Sequence, residues 1–278
     1  MGKFKIEKYL DSLQDDVNVI DVSNKNLNYL PDLSRFKKLE KLFCDGNNLT
    51  LLPILPENLK ELYCYGNKLT SLPILPKNLK FLYCVSNNLT SLPILPENLK
   101  ELQCAYNKLT SLPVLPEKLK LLRCYSNNLI SLPILPENLK EIYCDSNKLT
   151  SLPILPVNLK WLNCSNNKLT SLPILPEKLE ILSCYENNLV LLPNLPENLT
   201  KLLFYDNPIR NIIPYNNYLC ITKKQIKILN NFRYLYYCLK YRKRFFKMME
   251  PIIKKRYHPK YLYNLNEEDD LDEKLGEW

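Results

Sequence analysis

The feature that most constrains the fold is a block that recurs every 20 residues along most of the chain. The block beginning at Leu119, LKLLRCYSNNLISLPILP, reappears with small changes at Leu59, Leu139 and Leu159. Self-similarity at a short fixed period is typical of solenoids, in which each unit is one turn of chain stacked on its neighbours. The chain is therefore expected to grow unit by unit rather than to close around one globular core.

Ten units follow one another, and they read L-x-x-L-x-C-x-x-N-x-L-x-x-L-P-x-L-P, except that the first is degenerate and the last has Phe204 in the Cys position and Pro208 after its Asn207. This is the signature of the leucine-rich repeat. Apolar and variable residues alternate at the start of each unit, which predicts a short strand and, after stacking, a parallel sheet about 45 Å long. Two prolines per unit exclude a helix from the return leg and favour an extended, polyproline-like path.

These patterns predict a leucine-rich-repeat solenoid with a parallel β-sheet on its concave face and an extended convex face. We assign residues 17–216 to the repeat array and residues 1–16 to a helical N-terminal cap. Within that cap, Lys3–Gln14 carries apolar residues at helical spacing. Residues 217–264 are predicted to form a basic α-helical C-terminal segment, and residues 265–278 form an acidic tail with too little apolar content to fold alone.

Two columns of identical residues run through the array. A spacing of 20 residues between cysteines matches no zinc motif, so we expect a ladder of buried, reduced thiols and no metal or other cofactor. A buried asparagine column must satisfy its amides, so it is expected to bond the backbone of its own and adjacent turns. The cysteines are Cys44, Cys64, Cys84, Cys104, Cys124, Cys144, Cys164 and Cys184, and the asparagines run from Asn47 to Asn207.

The positions that vary from unit to unit point outward from the strands and form three columns on the predicted concave face. Exposed aromatic rings beside arginine have the composition of protein-binding hot spots. The alternative is that tyrosines merely suit a pleated surface. We predict a partner-binding patch made of Tyr63, Phe81, Tyr83, Leu121, Arg123, Tyr125, Tyr143 and Trp161.

The basic charge of the chain is concentrated after the array. Residues 217–264 contain 13 Lys or Arg against one acidic residue, Glu250. Such a run is able to meet the phosphates of nucleic acid or an anionic membrane. The basic run could equally be the solvent-exposed face of a C-terminal cap, or it could form ion pairs with the acidic tail. The candidate phosphate-binding residues are Lys240, Arg242, Lys243, Arg244, Lys254, Lys255 and Arg256.

The unit LPxLPxxLxxLxCxxNxL, from about Leu39 to Asn207, resembles the short repeat of bacterial leucine-rich-repeat effectors, the YopM-like and IpaH-like proteins. IpaH-like members carry a large C-terminal ubiquitin-ligase domain with a catalytic cysteine. Here about 70 residues follow the array, and Cys220 and Cys238 lie in no matching Cys-x-Asp motif, so that activity is not carried over. The repeats and basic, Tyr-rich segment also resemble repeat proteins of giant amoeba-infecting DNA viruses.

Together these features favour a non-enzymatic scaffold that binds a protein partner on the concave face. One alternative is an adaptor that recruits ubiquitination or similar machinery through the C-terminal segment; another is nucleic-acid or membrane binding by that segment. The single histidine, His258, lies outside the array, and no glycine-rich phosphate loop is present. The N-terminal sequence has no apolar secretory stretch, so we expect an intracellular, cytoplasmic protein, in a host cell if it is an effector or viral. The pattern specifies neither the partner nor the oligomeric state.

Overall fold

The structure is a computed structural model that describes residues 4–213 and 219–240. The chain divides into two compact units, residues 1–226 and residues 227–278. The first unit contains the whole repeat array, and the described part of the second is the continuation of one helix. Among the described helices, none combines the length and apolar character needed to cross a bilayer.

The array forms one ten-stranded parallel sheet in which every strand pairs with its neighbours in sequence. The pairing is in register, so that equivalent residues of successive units lie side by side, as Leu42 lies beside Leu62. Each strand has three residues, shorter than the six-residue alternation suggested. The strands are β1 (Val19–Asp21), β2 (Lys41–Phe43), β3 (Glu61–Tyr63), β4 (Phe81–Tyr83), β5 (Glu101–Gln103), β6 (Leu121–Arg123), β7 (Glu141–Tyr143), β8 (Trp161–Asn163), β9 (Ile181–Ser183) and β10 (Lys201–Leu203).

Backbone bonds between units continue on both sides of each strand. Before β3, the Lys60 N–H donates to the Glu40 carbonyl at 2.7 Å, and after β2 the Cys44 N–H donates to the Tyr63 carbonyl at 2.8 Å. The middle residue of each strand points into the core, and the two flanking residues point outward. The repeated inward residues and the bonds between units, which we call the frame, thus fix which residues face solvent. The predicted solenoid with its parallel sheet is confirmed.

A sharp turn after each strand starts the return leg. The residue at this turn has positive φ in every unit, from Asn24 at +56° in the first, and it is glycine at Gly46 and Gly66, both at +62°. Later units use Ser, Asn, Asp, Glu or Tyr there, including Tyr106 at +51°. Such residues adopt this conformation at a cost, which the inter-unit bonds at the turn must offset.

In the described units that carry the two prolines, the return leg contains no helix, as the prolines predict. In the second unit Leu52, Leu55 and Pro56 are buried, and the intervening Ile54 is exposed. The Leu59 N–H then donates to the Pro56 carbonyl at 3.1 Å, which closes the turn into the next strand. The core is therefore a stack of leucines between the sheet and the return legs.

Both ends of the array are covered. Helix α1 (Ile6–Asp11) is shorter than the predicted Lys3–Gln14, and no side chain caps its first turn at Lys5. Ile6 and Leu10 are buried, and Arg35 donates to the Leu10 carbonyl. The predicted helical N-terminal cap is thus present.

At the other end a 3₁₀ helix (Pro208–Asn211) buries Ile209, whose N–H donates to the Leu189 carbonyl at 2.9 Å. Helix α2 (Leu219–Lys240) follows, and its Lys223 ammonium donates to the Glu197 carbonyl at 2.8 Å. Of the predicted helical segment 217–264, residues 217–218 and 241–264 lie outside the described residues.

Candidate functional site

The asparagine column locks each turn to its neighbours. The Asn127 amide nitrogen donates to the carbonyls of Cys104 (3.0 Å), Cys124 (3.1 Å) and Tyr125 (3.2 Å), while its oxygen accepts the Leu109 N–H at 2.9 Å. The same pattern recurs through the array, including at the half-buried Asn147. The predicted ladder of satisfied amides is confirmed, and it belongs to the frame of the fold.

The cysteine column is equally structural. All eight thiols are free and buried. Burial raises the pKa of each, to about 12 at Cys84 and Cys184, so the thiols stay protonated at neutral pH. The predicted ladder of buried, reduced thiols is confirmed. Among the described residues, no three His, Cys, Asp or Glu side chains converge as metal ligands would.

The outward residues of the strands form the sheet face, and a row of stacked rings crosses its first part. Because equivalent residues lie in register, the Phe43 and Tyr63 rings stack at 4.5 Å, and the Tyr63 and Tyr83 rings stack at 4.7 Å. Offset stacks of this kind contribute beyond their buried area. We call these three residues the aromatic row.

Carboxylates hold the tyrosines of the aromatic row in place. The Tyr83 hydroxyl donates to Glu101 at 2.7 Å, and the Tyr63 hydroxyl donates to Glu61 at 3.1 Å. Glu61 in turn pairs with Lys41 at 3.0 Å. Desolvation and then the Glu61 bond raise the pKa of Tyr63 to about 12, and desolvation and then the Glu101 bond raise the pKa of Tyr83. Both hydroxyls therefore remain protonated donors at any physiological pH.

A second group lies farther along the sheet. The Arg123 guanidinium is 5.0 Å from the centre of the Tyr143 ring, in cation–π contact, and Tyr143 packs against Trp161 with centroids 5.8 Å apart. The Tyr143 hydroxyl donates to Glu141 at 3.3 Å. Trp161 is 38% exposed, so much of its indole faces solvent. We call Arg123, Tyr143 and Trp161 the arginine–aromatic cluster.

The structure therefore divides the predicted patch. Phe81 lies on β4 beside the aromatic row, and Leu121 lies on β6 beside the cluster. Strand β5, with Gln103 facing outward, separates the two groups. Tyr125 lies just past the end of β6 and contacts Tyr106 edge-on at 5.2 Å.

Sequence reasoning missed two neighbours of the patch. Phe43 stands in the same column as Tyr63 and Tyr83, so the column itself was the signal. Tyr106 occupies the positive-φ turn position, which lies outside the strand alternation, yet it is 55% exposed and contacts Tyr125. An aromatic at a position usually held by glycine or serine was the available signal.

One expectation about the surface is wrong. The column just past the strands was expected to point to solvent throughout, but Asp45, Ala105 and Ser165 are buried. All three are small side chains, and Asp45 accepts a hydrogen bond from Tyr65 that raises the pKa of the tyrosine. In the middle column Ser183 is also buried, with its hydroxyl 2.9 Å from that of Ser165.

Of the candidate phosphate-binding residues, one falls within the part of the chain that the structure describes. Lys240 is the last residue of α2. The others, from Arg242 to Arg256, lie outside the described residues, so phosphate binding stays a prediction.

Comparison with known proteins places this geometry in a family. The model for Leucine Rich repeats (2 copies) matches residues 57–97, and the model for a single Leucine Rich Repeat matches residues 158–177. A search of curated protein sequences found no significant match.

Solved structures give broader matches. YopM from Yersinia enterocolitica WA-314 is 36% identical, with a TM-score of 0.65, over 69% of this chain and 45% of that chain. The leucine-rich-repeat domain of a Shigella effector is 34% identical, with a TM-score of 0.52, over 58% of this chain and 73% of that domain. The functional domain of InlJ from Listeria monocytogenes, which includes a cysteine ladder, is 26% identical, with a TM-score of 0.50, over 68% of this chain and 53% of that chain.

These matches and the fold define the class. The chain belongs to the leucine-rich-repeat proteins, with short repeats of the kind found in the bacterial effectors YopM and the Shigella protein. It spans less than half the length of the YopM chain that it matches.

Proposed function

We propose that this protein is a non-enzymatic scaffold that binds a protein partner through the sheet face of its repeat array. The observation that carries the proposal is the pair of pre-positioned groups on that face, the aromatic row and the arginine–aromatic cluster. Both are built from the residue types that dominate binding energy at protein interfaces, Tyr, Trp and Arg.

Pre-positioning matters because binding loses affinity to the ordering of flexible side chains. Tyr63 and Tyr83 are already fixed by stacking and by hydrogen bonds to glutamates. Arg123 is already held over the Tyr143 ring. These rings meet a partner with little further loss of side-chain entropy, which favours a binding role over simple filling of a pleated surface.

The charge of the face suggests the chemistry of the partner. Among the outward residues of strands β2 to β8, the carboxylates of Glu61, Glu101 and Glu141 outnumber the cations of Lys41 and Arg123. Complementary charge aids association and suppresses wrong partners. We therefore expect a partner surface with apolar or aromatic groups bordered by Lys or Arg.

The test is capture of partners from extracts of the natural host cell by the full-length, tagged protein. The test variant is Tyr83→Ala/Trp161→Ala, which removes one ring from each group. The matched control is Phe232→Ala/Tyr234→Ala, which removes two exposed rings from helix α2. Thermal melting of each variant checks that the array remains folded.

We expect the test variant to lose the captured partner and the matched control to retain it. Loss of the captured partner by the control variant would indicate that the C-terminal segment binds the partner. Loss that occurs only when the chain is truncated after Pro214 would indicate the same. Either result would support the adaptor or phosphate-binding alternatives. Full retention by the test variant would overturn the proposal.

A further inference from the structure

The return legs carry a row of aliphatic side chains on the far side of the leucine core from the sheet. Each stands between the two prolines of an L-P-x-L-P segment and is 82–90% exposed. The leucine that follows it is buried in every unit of the row, and the one that precedes it is buried or half-buried, so this residue is directed outward. We call the row the isoleucine ridge: Ile54, Ile74, Ile94, Val114, Ile134, Ile154 and Ile174.

The frame does not require an apolar residue in this row. The equivalent position is Asp32 in the first unit and Asn194 in the ninth, and both units form their strands. The ridge is thus an unbroken apolar row that ends in a polar residue at each end. Exposed apolar surface with a polar border is typical of an interaction site.

The ridge is large enough for a stable protein contact. An isoleucine side chain offers on the order of 120 Å² of apolar surface, so seven offer roughly 800 Å². The largest apolar patch on an ordinary monomer is about 300–600 Å². A specific interface of standard size buries about 800 Å² on each partner.

We propose that the isoleucine ridge is the contact face of a homodimer, in which it packs against the same ridge of a second copy. The two rows have the same period. The side chains recur once per unit over seven consecutive units. A second copy necessarily has the same period, so the two rows match unit for unit in a two-fold, self-complementary contact.

The borders of the ridge select its orientation. An exposed row rich in glutamate, including Glu97, Glu117 and Glu137, flanks one side, and an exposed serine row, including Ser91 and Ser131, flanks the other. A two-fold axis across the ridge would set glutamate against glutamate, which is unfavourable. An axis along the ridge sets glutamate against serine. The ridges then run parallel, with Ile54 facing Ile54 and Ile174 facing Ile174.

This dimer leaves both sheet faces uncovered. It would present two copies of the face on which the proposed function rests, and two linked sites raise the apparent affinity for a partner with repeated epitopes. The dimer itself depends only on the ridge, so it stands or falls separately from partner binding.

Sedimentation velocity of the full chain between about 1 and 100 μM tests the contact, since interfaces of this size support association in that range. The test variant is Ile94→Asn/Val114→Asn/Ile134→Asn, which uses the residue already found at position 194. The matched control is Lys100→Asn/Lys120→Asn/Lys140→Asn, three changes at the edge of the sheet. We expect a dimer for the wild type and the control, and at least a 100-fold weaker dimer for the test variant. A monomeric wild type, or a test variant that dimerises unchanged, would overturn the proposal.

Disulfide cross-linking tests the same contact without depending on the stability of the triple variant. In a Cys220→Ser/Cys238→Ser background, Ile54→Cys, Val114→Cys and Ile174→Cys are oxidised one at a time. Parallel ridges predict covalent dimers from all three. No dimer from Val114→Cys, at the centre of the ridge, would overturn the contact. Dimers from Val114→Cys alone would overturn the parallel orientation.

Discussion

The interior ladders and the sheet face have the same period but opposite character. The cysteine and asparagine columns hold nearly the same residue in every unit, and each amide bonds both its own turn and the one before. The columns of the sheet face change from unit to unit, and their residues contact one another only in local groups. The difference teaches that the most regular residues of a solenoid specify its fold, whereas its irregular residues are the place to look for function.

The largest effect that separates the two regions is a fall in the free energy of unfolding at alkaline pH, which we expect from the thiols of the cysteine column. An unfolded thiol has a pKa of about 8.5, and burial raises the pKa of all eight column thiols in the fold. Above about pH 8.5 the unfolded state therefore binds fewer protons than the folded state, so the free energy of unfolding falls as pH rises. With eight thiols the slope approaches about 11 kcal/mol per pH unit, and we expect unfolding within roughly two units above pH 8.5.

Urea midpoints measured from pH 7 to pH 10 check this expectation. Cys220 is exposed, so Cys220→Ser should leave the profile unchanged. A midpoint that stays constant up to pH 10 would mean that the column thiols are not buried in solution.

The next largest effect should come from one member of the asparagine ladder. Asn127→Leu removes the acceptor of the Leu109 N–H and a donor shared by three carbonyls. Leaving buried backbone groups without partners should lower the free energy of unfolding by on the order of 3–6 kcal/mol. Chemical denaturation measures the loss, and the half-exposed neighbour Asn128 supplies the control, Asn128→Leu. Equal stability of the two variants would contradict a structural role for the ladder.

The smallest effect on stability is expected on the sheet face. Arg123→Ala removes one cation–π contact with Tyr143, so stability should fall by about 1 kcal/mol or less. If the face binds a partner, the same change should weaken that binding at least tenfold, which is about 1.4 kcal/mol. Calorimetry with the captured partner measures the second quantity. A large loss of stability without loss of binding would assign Arg123 to the frame instead.

Much of this molecule could be predicted from the sequence because its period is explicit. The leucine, cysteine and asparagine columns each satisfy one rule of strand alternation or amide pairing, and the structure agrees at every unit that it describes. In-register stacking also follows from the period, and with it the stacking of Tyr63 on Tyr83.

What could not be predicted lies just past the strands. Ala105 and Ser165 occupy positions that the alternation places outward, yet both are buried. Tyr106 lies at a turn whose positive φ follows from the bonds between units rather than from a glycine. The isoleucine ridge is visible in the sequence, but its exposure depends on how the two prolines direct the return leg.

The central claim is that function resides in the variable outward residues of the sheet face. The most direct measurement is covalent footprinting of aromatic side chains by mass spectrometry, with and without the captured partner. The account predicts protection of Tyr63, Tyr83 and Trp161 in the complex, with Tyr29, an exposed ring of the first return leg, unchanged. Unchanged labelling of those three residues, with protection elsewhere in the chain, would contradict it.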